Sequence, residues 1–455
     1  MKLLALSILV FSTASSAQLF QSDNTNFTTP VTVASGLNAA VIFSNLTMPR
    51  GITIDSQQNI LVVERGAGVS AFSRTTSPTP GWQRTIVIAN DAFTHGIQVD
   101  GKNLYVSTAS DVLLYNYDPT TKSASATPTP LITSLPADGE LTTHTLEFVR
   151  DDTGKVASIL VGSGPKTNID ITARDPASGR SQIRLFRLNT LQPIPLHWAD
   201  GTIVAYGIRN PAGFTFPTGI SVGPANTRTL LVVENGASID NVTGVTPAFA
   251  NDNPADEIES VSFPLIGSSS PPFYGFPDCS TLWNPKADPT GVPQYTSLPR
   301  GAQFSFNLPT VSFQPRDDAW CRNSTNNIPP AFNFQAHSVP LDIKQYQPNP
   351  VTSLRGLPAA WARDVFVSFH GSFDRTPPTG YGVVHVPYPF NGTAIGSALG
   401  YSFLVQAADL KSCPGKCIRP VGLVFGVDNR LYVSSDATGE LFVLQSAAPA
   451  VTAAA

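Results

Sequence analysis

The sequence predicts an all-β chain, a six-bladed β-propeller with long loop insertions, and three observations carry that reading. A short phrase recurs six times along the chain. Its apolar residues alternate with a period of two, and no stretch sustains a helical period. The composition is turn-rich, with 40 Pro and 34 Gly in 455 residues. It is 42% apolar and only 13% charged, which suits neither a disordered chain nor a helical bundle.

Each copy is an apolar strand, a polar turn and a second apolar strand. The first copy runs Gly51-Ile-Thr-Ile-Asp, then Asn59-Ile-Leu-Val-Val-Glu64. The second runs Gly96-Ile-Gln-Val-Asp, then Asn103-Leu-Tyr-Val-Ser107. Degraded copies span Leu146 to Gly162, Gly213 to Glu234 and Leu341 to Ser368. The last full copy is Gly422-Leu-Val-Phe-Gly-Val-Asp, then Asn429-Arg-Leu-Tyr-Val-Ser434. Ser35 to Phe43 is expected to donate a strand that closes the ring with the last blade. The irregular stretch from Ala237 to Trp361 reads as the rest of blade 4 and blade 5 with large insertions. A β-sandwich or two unrelated β domains are the alternative readings.

The ends and cysteines suggest a compartment. Met1-Lys2, the apolar run Leu3 to Phe11 and the small residues Ser15-Ser16-Ala17 read as a secretory signal peptide, residues 1–17. The propeller domain is then expected over 18–445, followed by a small-residue tail over 446–455. Secretion permits disulfides. Of the three pairings that four cysteines allow, Cys279 with Cys321 and Cys413 with Cys417 is favoured, because the second pair closes a tight local turn. Asn26, Asn45, Asn241, Asn323 and Asn391 each head a glycosylation sequon. The formal charge of −4 and the lack of a basic run or a membrane-length apolar run argue against nucleic-acid and membrane partners.

In a propeller the start of each innermost strand and the end of each second strand meet at one mouth. Arg50, His95, His144, Arg209 with Asn210, His337 and Arg419 precede the first strands. Arg65, Ser107, Lys166, Glu234 with Asn235, His370 with Arg375, and Asp436 follow the second strands. With only 28 Lys and Arg and six His in the chain, this convergence predicts a bound anion with several carboxylates or phosphates, clamped by guanidinium groups. A neutral imidazole there could act as a base. The carbonyls around Gly236, beside Glu234, suit a hard cation such as calcium; Asp252, Asp256 and Glu257 follow in an acidic loop. His197 and His385 fall outside the pattern and read as packed, hydrogen-bonded residues.

Several of these residues also stand in recognisable motifs. They are Thr143-His144-Thr-Leu-Glu-Phe, Gly207-Ile-Arg-Asn-Pro-Ala-Gly213, Glu234-Asn-Gly-Ala, Phe273-Tyr-Gly-Phe-Pro277, His370-Gly-Ser-Phe-Asp-Arg375 and Arg419-Pro-Val-Gly422. In this order they resemble the glucose/sorbosone dehydrogenase family, six-bladed propellers that use pyrroloquinoline quinone (PQQ). The chain is most similar to the secreted fungal pyranose dehydrogenases of that kind, also called L-sorbosone dehydrogenases. The resemblance implies the anion, since the quinone carries three carboxylates. It implies His144 as the general base on the sugar's anomeric hydroxyl, with hydride passing from C1 to the quinone. It implies Arg209, which also polarises the quinone carbonyls, and Asn210 as cofactor contacts, and the carbonyls of Gly236 and Ala237 as calcium ligands. Arg65, Lys166, His337, His370 and Arg419 join as cofactor or substrate contacts.

The expectation is a secreted, extracellular, monomeric sugar dehydrogenase, dependent on PQQ and calcium. It would oxidise an aldose or osone and pass electrons to a separate quinone or cytochrome. One rival is a calcium-dependent propeller hydrolase such as a sugar lactonase, which would want acidic side chains around the axis. Another is a propeller that only binds sugar.

Overall fold

The computed structural model describes residues 19–22, 25–76, 80–188, 193–218, 227–264, 270–309, 316–350, 355–390 and 398–447. The proposed signal peptide, Asn391 and residues 448–455 lie outside the described residues. Six sheets, antiparallel but for the outermost pair of blade 2, stand around one axis and make a six-bladed β-propeller. From blade 1 to blade 6 the innermost strands are Pro49–Ile54, Phe93–Asp100, Leu146–Arg150, Pro211–Thr215, Pro340–Gln345 and Pro420–Phe425. The second strands are Ile60–Glu64, Asn103–Thr108, Val156–Ser163, Thr227–Glu234, Val365–Phe369 and Leu431–Ser435. Each pairs antiparallel with the inner strand of its own blade. The segment Leu37–Phe43 adds the outermost strand of blade 6 and closes the ring, as expected.

Both faces of each blade are buried, so a second strand reads as a continuous apolar run, and the period of two then sorts its side chains between two neighbours. In blade 1, Leu61 and Val63 pack against blade 2. Ile60 and Val62 turn the other way, against blade 6. Four more apolar clusters fill the remaining inter-blade spaces.

The glycine that opens the phrase marks the closest approach of neighbouring inner strands. A Cβ on Gly51 would stand 2.1 Å from the His95 carbonyl oxygen, and one on Gly96 would stand 2.2 Å from that of His144. The serine that ends the phrase then fastens the next blade. Ser107 Oγ donates to the His144 carbonyl at 2.9 Å, and Ser434 Oγ donates to the Arg50 carbonyl at 2.5 Å. The repeated letters therefore fix the backbone at the very positions that carry cationic and imidazole side chains.

The longest insertion belongs to blade 4; the stretch to Trp361 then takes in the inner strand of blade 5 and part of its long connection to Val365–Phe369. Blade 4's third strand is Asp256–Pro264 and its outer strand is Phe332–Phe334. Between them lies the hairpin Cys279–Thr281 with Gln303–Ser305, which shares an apolar core with Ala173 and with Ala237 to Ala250. The Cys279–Cys321 disulfide ties this excursion, and Cys413–Cys417 closes the short turn before blade 6. No described helix is long and apolar enough to cross a membrane.

Candidate functional site

The mouth divides into two regions. On the side of blades 3, 4 and 5 the residues surround a cavity of about 430 Å³ whose walls include Asn168, Arg209, Gly236, Ala237, His337 and Asp374. Arg209 stands just before the inner strand of blade 4. Its Nε and Nη2 donate to the backbone oxygen and Oδ1 of Asn168 at 2.9 and 3.0 Å. Its Nη1 donates to the backbone oxygen and Oδ1 of Asn235 at 3.1 and 3.3 Å. All four acceptors are neutral, so the guanidinium is fixed in place while its charge stays available to a ligand. Asn210 donates from Nδ2 to the same Asn235 Oδ1 at 3.2 Å.

Gly236 and Ala237 follow the second strand of blade 4 and line the cavity. Among the described residues no backbone N–H donates to either carbonyl. The Gly236 N–H donates to Asp256 Oδ1 at 2.7 Å and the Val339 N–H to Asp256 Oδ2 at 2.8 Å, which sets these loops around one buried carboxylate. Burial raises the Asp256 carboxyl to about 6, against the pull of those two donors. His337 completes the wall. Its Nδ1 lies 3.1 Å from Asp374 Oδ1 and its Nε2 donates to the Ala250 carbonyl at 2.8 Å. Burial opposes its charge, yet Asp374 and the carbonyl raise its pKa above the usual imidazole value. An imidazole of raised pKa and a guanidinium thus face one space, together with the carboxyl groups of Glu140, Asp256 and Asp374.

On the opposite side, Arg50 of blade 1 and His370 of blade 5 meet one carboxylate, Asp436 of blade 6, and burial lowers the His370 pKa against that carboxylate. Arg50 Nη1 stands 2.6 Å from Asp436 Oδ2, and His370 Nε2 stands 2.9 Å from Asp436 Oδ1. Burial opposes ionisation, but these two neighbours hold the Asp436 carboxyl far below the usual carboxylate range. Arg419 donates from Nε to the His370 carbonyl at 2.9 Å and from Nη2 to the Gly371 carbonyl at 2.8 Å. Arg65 is exposed beside Arg50. None of these residues lines the cavity.

The remaining expected residues divide as well. His144 is fully buried and outside the cavity wall, with Nδ1 2.9 Å from the Gly162 oxygen and Nε2 2.9 Å from the Ala109 oxygen. A neutral imidazole has one N–H for those two acceptors, and burial depresses its pKa against both carbonyls. His95 is buried with Nδ1 unpartnered, and burial, then Arg50 and Lys344, lower it to about 3. Lys166 is exposed and pairs with the exposed Asp138 at 2.9 Å. Arg375 pairs with Asp252 at 2.5 Å. His385 is packed, against Trp361 and Asp364, as expected. His197 is hydrogen-bonded as expected, with Nδ1 3.4 Å from the Thr133 hydroxyl oxygen, but is exposed.

Asn168 and Asp374 escaped the sequence reading. Asn168 lies in a loop with no repeat to align it. Asp374 sits inside the His370 to Arg375 motif and was legible as an acid next to a cationic ring. The exposed Phe373, also on the cavity wall, is in the same motif.

With this geometry in view, comparisons with known proteins are informative. A family model described as TrAA12-like matches residues 31–447. A pyrroloquinoline quinone-dependent sugar dehydrogenase of Hypocrea jecorina (strain QM6a) is 31% identical over 464 residues, covering 98% of this chain and 96% of that protein. A pyrroloquinoline quinone-dependent pyranose dehydrogenase of Coprinopsis cinerea is 30% identical over 437 residues, covering 91% of this chain and 54% of that protein. The chain therefore spans about half the length of that relative. The holo form of the pyranose dehydrogenase PQQ domain from Coprinopsis cinerea superposes with a TM-score of 0.75 at 29% identity, covering 92% of this chain and 97% of that one.

Proposed function

The chain belongs to the TrAA12-like family, and from that premise we propose that it is a secreted sugar dehydrogenase that depends on PQQ and calcium. The observation that carries the proposal is the Arg209 clamp: a buried guanidinium held only by neutral acceptors at a cavity wall. The donor set fits the cofactor. Arg209 and His337, whose raised pKa favours its charged form, suit carboxylates, and the carbonyls of Gly236 and Ala237, which take no backbone N–H among the described residues, suit a hard cation. A volume of about 430 Å³ lies in the range of cofactor pockets.

When bound, the quinone supplies a hydride acceptor and calcium a Lewis acid beside it. The protein's own part is to bind, orient and move a proton. Arg209 fixes the anion's position, because Asn168 and Asn235 leave its fork no second orientation. His337 adds charge and is itself oriented by Asp374. For the base we retain His144, whose Nε2 would exchange the Ala109 carbonyl for the sugar hydroxyl. Asn210 and Lys166 remain proposed cofactor contacts, and Arg65, His370 and Arg419, which stand off the cavity wall, remain proposed as substrate contacts. The two disulfides support an oxidising, extracellular compartment. The substrate is proposed as an aldose or osone pyranose, with a separate electron acceptor.

Reconstitution with PQQ and calcium, followed by sugar-dependent reduction of a dye across a panel of pyranoses, tests this. Turnover of at least one aldose, lost in His144→Ala with the cofactor still bound, is the expected result. A loaded protein that reduces no dye with any sugar would sink the reading.

A further inference from the structure

The loop after the second strand of blade 5 is fixed on both sides of one residue. Before it, the Ser372 N–H donates to the Thr379 carbonyl at 3.1 Å, and the Thr379 N–H donates back to Ser372 Oγ at 3.0 Å. After it, Asp374 Oδ1 stands 3.1 Å from His337 Nδ1, and Arg375 stands 2.5 Å from Asp252. Thr376 then meets the Asn251 amide twice. Its N–H donates to Oδ1 at 2.8 Å and its carbonyl accepts from Nδ2 at 2.9 Å. The residue between these anchors is Phe373.

Ser372 is 1% exposed, yet Phe373 is 74% exposed, more than any other large apolar side chain among the described residues. Single apolar side chains on a surface are ordinary and most need no explanation. Two observations set Phe373 apart. Its flanking residues are anchored, so the backbone that presents the ring is held in place. The ring also stands on the wall of the cavity that Arg209 and His337 line. Glu140 stands on the same wall and is exposed too. An open aromatic face and a carboxylate at one cavity match one kind of ligand. A pyranose has a patch of C–H bonds on its face and hydroxyls around its edge. The patch is apolar and slightly positive, which suits the negative face of an aromatic ring. The carboxylate accepts from hydroxyls.

We propose that Phe373 is the platform on which the pyranose ring lies, with Glu140 accepting from a hydroxyl at the sugar's edge. The proposal rests on the dehydrogenase reading above and names where its substrate sits. The platform selects the cyclic form of the sugar, because the open chain has no continuous C–H face. The same loop ties it to the cavity's cations, since Asp374 beside Phe373 orients His337. Contacts of this kind hold ground state and transition state alike, so they show in KM and not in kcat.

The test uses full-length protein reconstituted with PQQ and calcium, with steady-state turnover across the pyranose panel and the PQQ dissociation constant by titration. Phe373→Ala is expected to raise KM about 10-fold for each sugar the wild type oxidises, with kcat and the PQQ dissociation constant within about twofold. Phe373→Trp keeps an aromatic face and should hold KM near the wild-type value; Phe373→Leu, apolar without that face, should fall between. Glu140→Ala should raise KM about fivefold, the loss of one hydrogen bond. An unchanged KM in Phe373→Ala or Glu140→Ala overturns the proposal while the dehydrogenase reading stands. So does a KM in Phe373→Trp as high as in Phe373→Ala. A loss of PQQ affinity in Phe373→Ala assigns the ring to the cofactor and overturns it as well. A loaded wild type that oxidises no sugar sinks the reading and the proposal together.

Discussion

On the blade 4 side of the mouth, Arg209 is held by four neutral contacts and lines a cavity; on the blade 6 and blade 1 side, Arg50 and His370 close on Asp436, and none of the three lines that cavity. Both sets occupy the same place in the repeat, at the start of an inner strand or the end of a second strand. The difference is the acceptor. Amide oxygens position a cation without cancelling it, so its charge remains for a ligand. A carboxylate cancels it, and the pair becomes part of the scaffold. Arg50 and Asp436 join the last blade to the first, where the ring must close. A ring of cations read from sequence is therefore an arc that binds and an arc that fastens.

The largest expected effect falls on the fastening arc. Asp436→Asn should leave Arg50 buried without its partner and lower stability by about 3–5 kcal/mol, measured by denaturant unfolding. Because the Asp436 carboxyl is held below its ordinary range, its contribution is present above about pH 4 and fades as pH falls below that. The gap between variant and wild type should shrink in acid. Cofactor affinity should change little in the folded fraction; a large loss there would merge the two arcs.

Arg209→Ala should act in the opposite sense. Its dissociation constant for PQQ should rise roughly 100-fold, or about 2.7 kcal/mol, while unfolding changes less than in Asp436→Asn. Isothermal titration beside the same unfolding curves checks both.

A smaller effect should appear with pH. The raised pKa of His337 keeps its charge present at and below its usual value of about 6.5, and that charge is lost as pH rises through the raised folded value. PQQ affinity should weaken over that rise by about tenfold or less for one charge near the surface of a cavity, and His337→Gln should flatten the profile. An unchanged slope in the variant would remove His337 from the binding arc.

The smallest effect belongs to Lys166. Exposed pairs such as Lys166 with Asp138 contribute about 0–1 kcal/mol. Lys166→Ala should shift PQQ affinity far less than Arg209→Ala. A loss equal to that of Arg209→Ala would show that Lys166 leaves Asp138 to join the ligand.

The blades, their closure and the ring of polar positions were legible because all three depend on a periodic constraint. Gly51, Gly96 and Gly422 are imposed by the spacing of inner strands, and Ser107 and Ser434 by the carbonyls that this spacing brings near. Whatever hangs on loops was less legible. Asn168 clamps Arg209 from a segment that no repeat aligns. Lys166 follows its strand at the expected place but turns to Asp138 in solvent. The Pro-rich sequence of the insertion carries no period to show where blade 4 resumes. His144 stands where the repeat predicted, yet its ring direction is set by the Ala109 and Gly162 carbonyls, which no pattern in the sequence encodes.

The central claim is that the open arc holds an anionic quinone together with calcium. Titration of PQQ into the cofactor-free wild type, followed by calorimetry with and without calcium, tests it most directly. One equivalent should bind saturably with calcium and markedly more weakly without it. A folded, calcium-replete protein that shows no saturable binding would contradict the account.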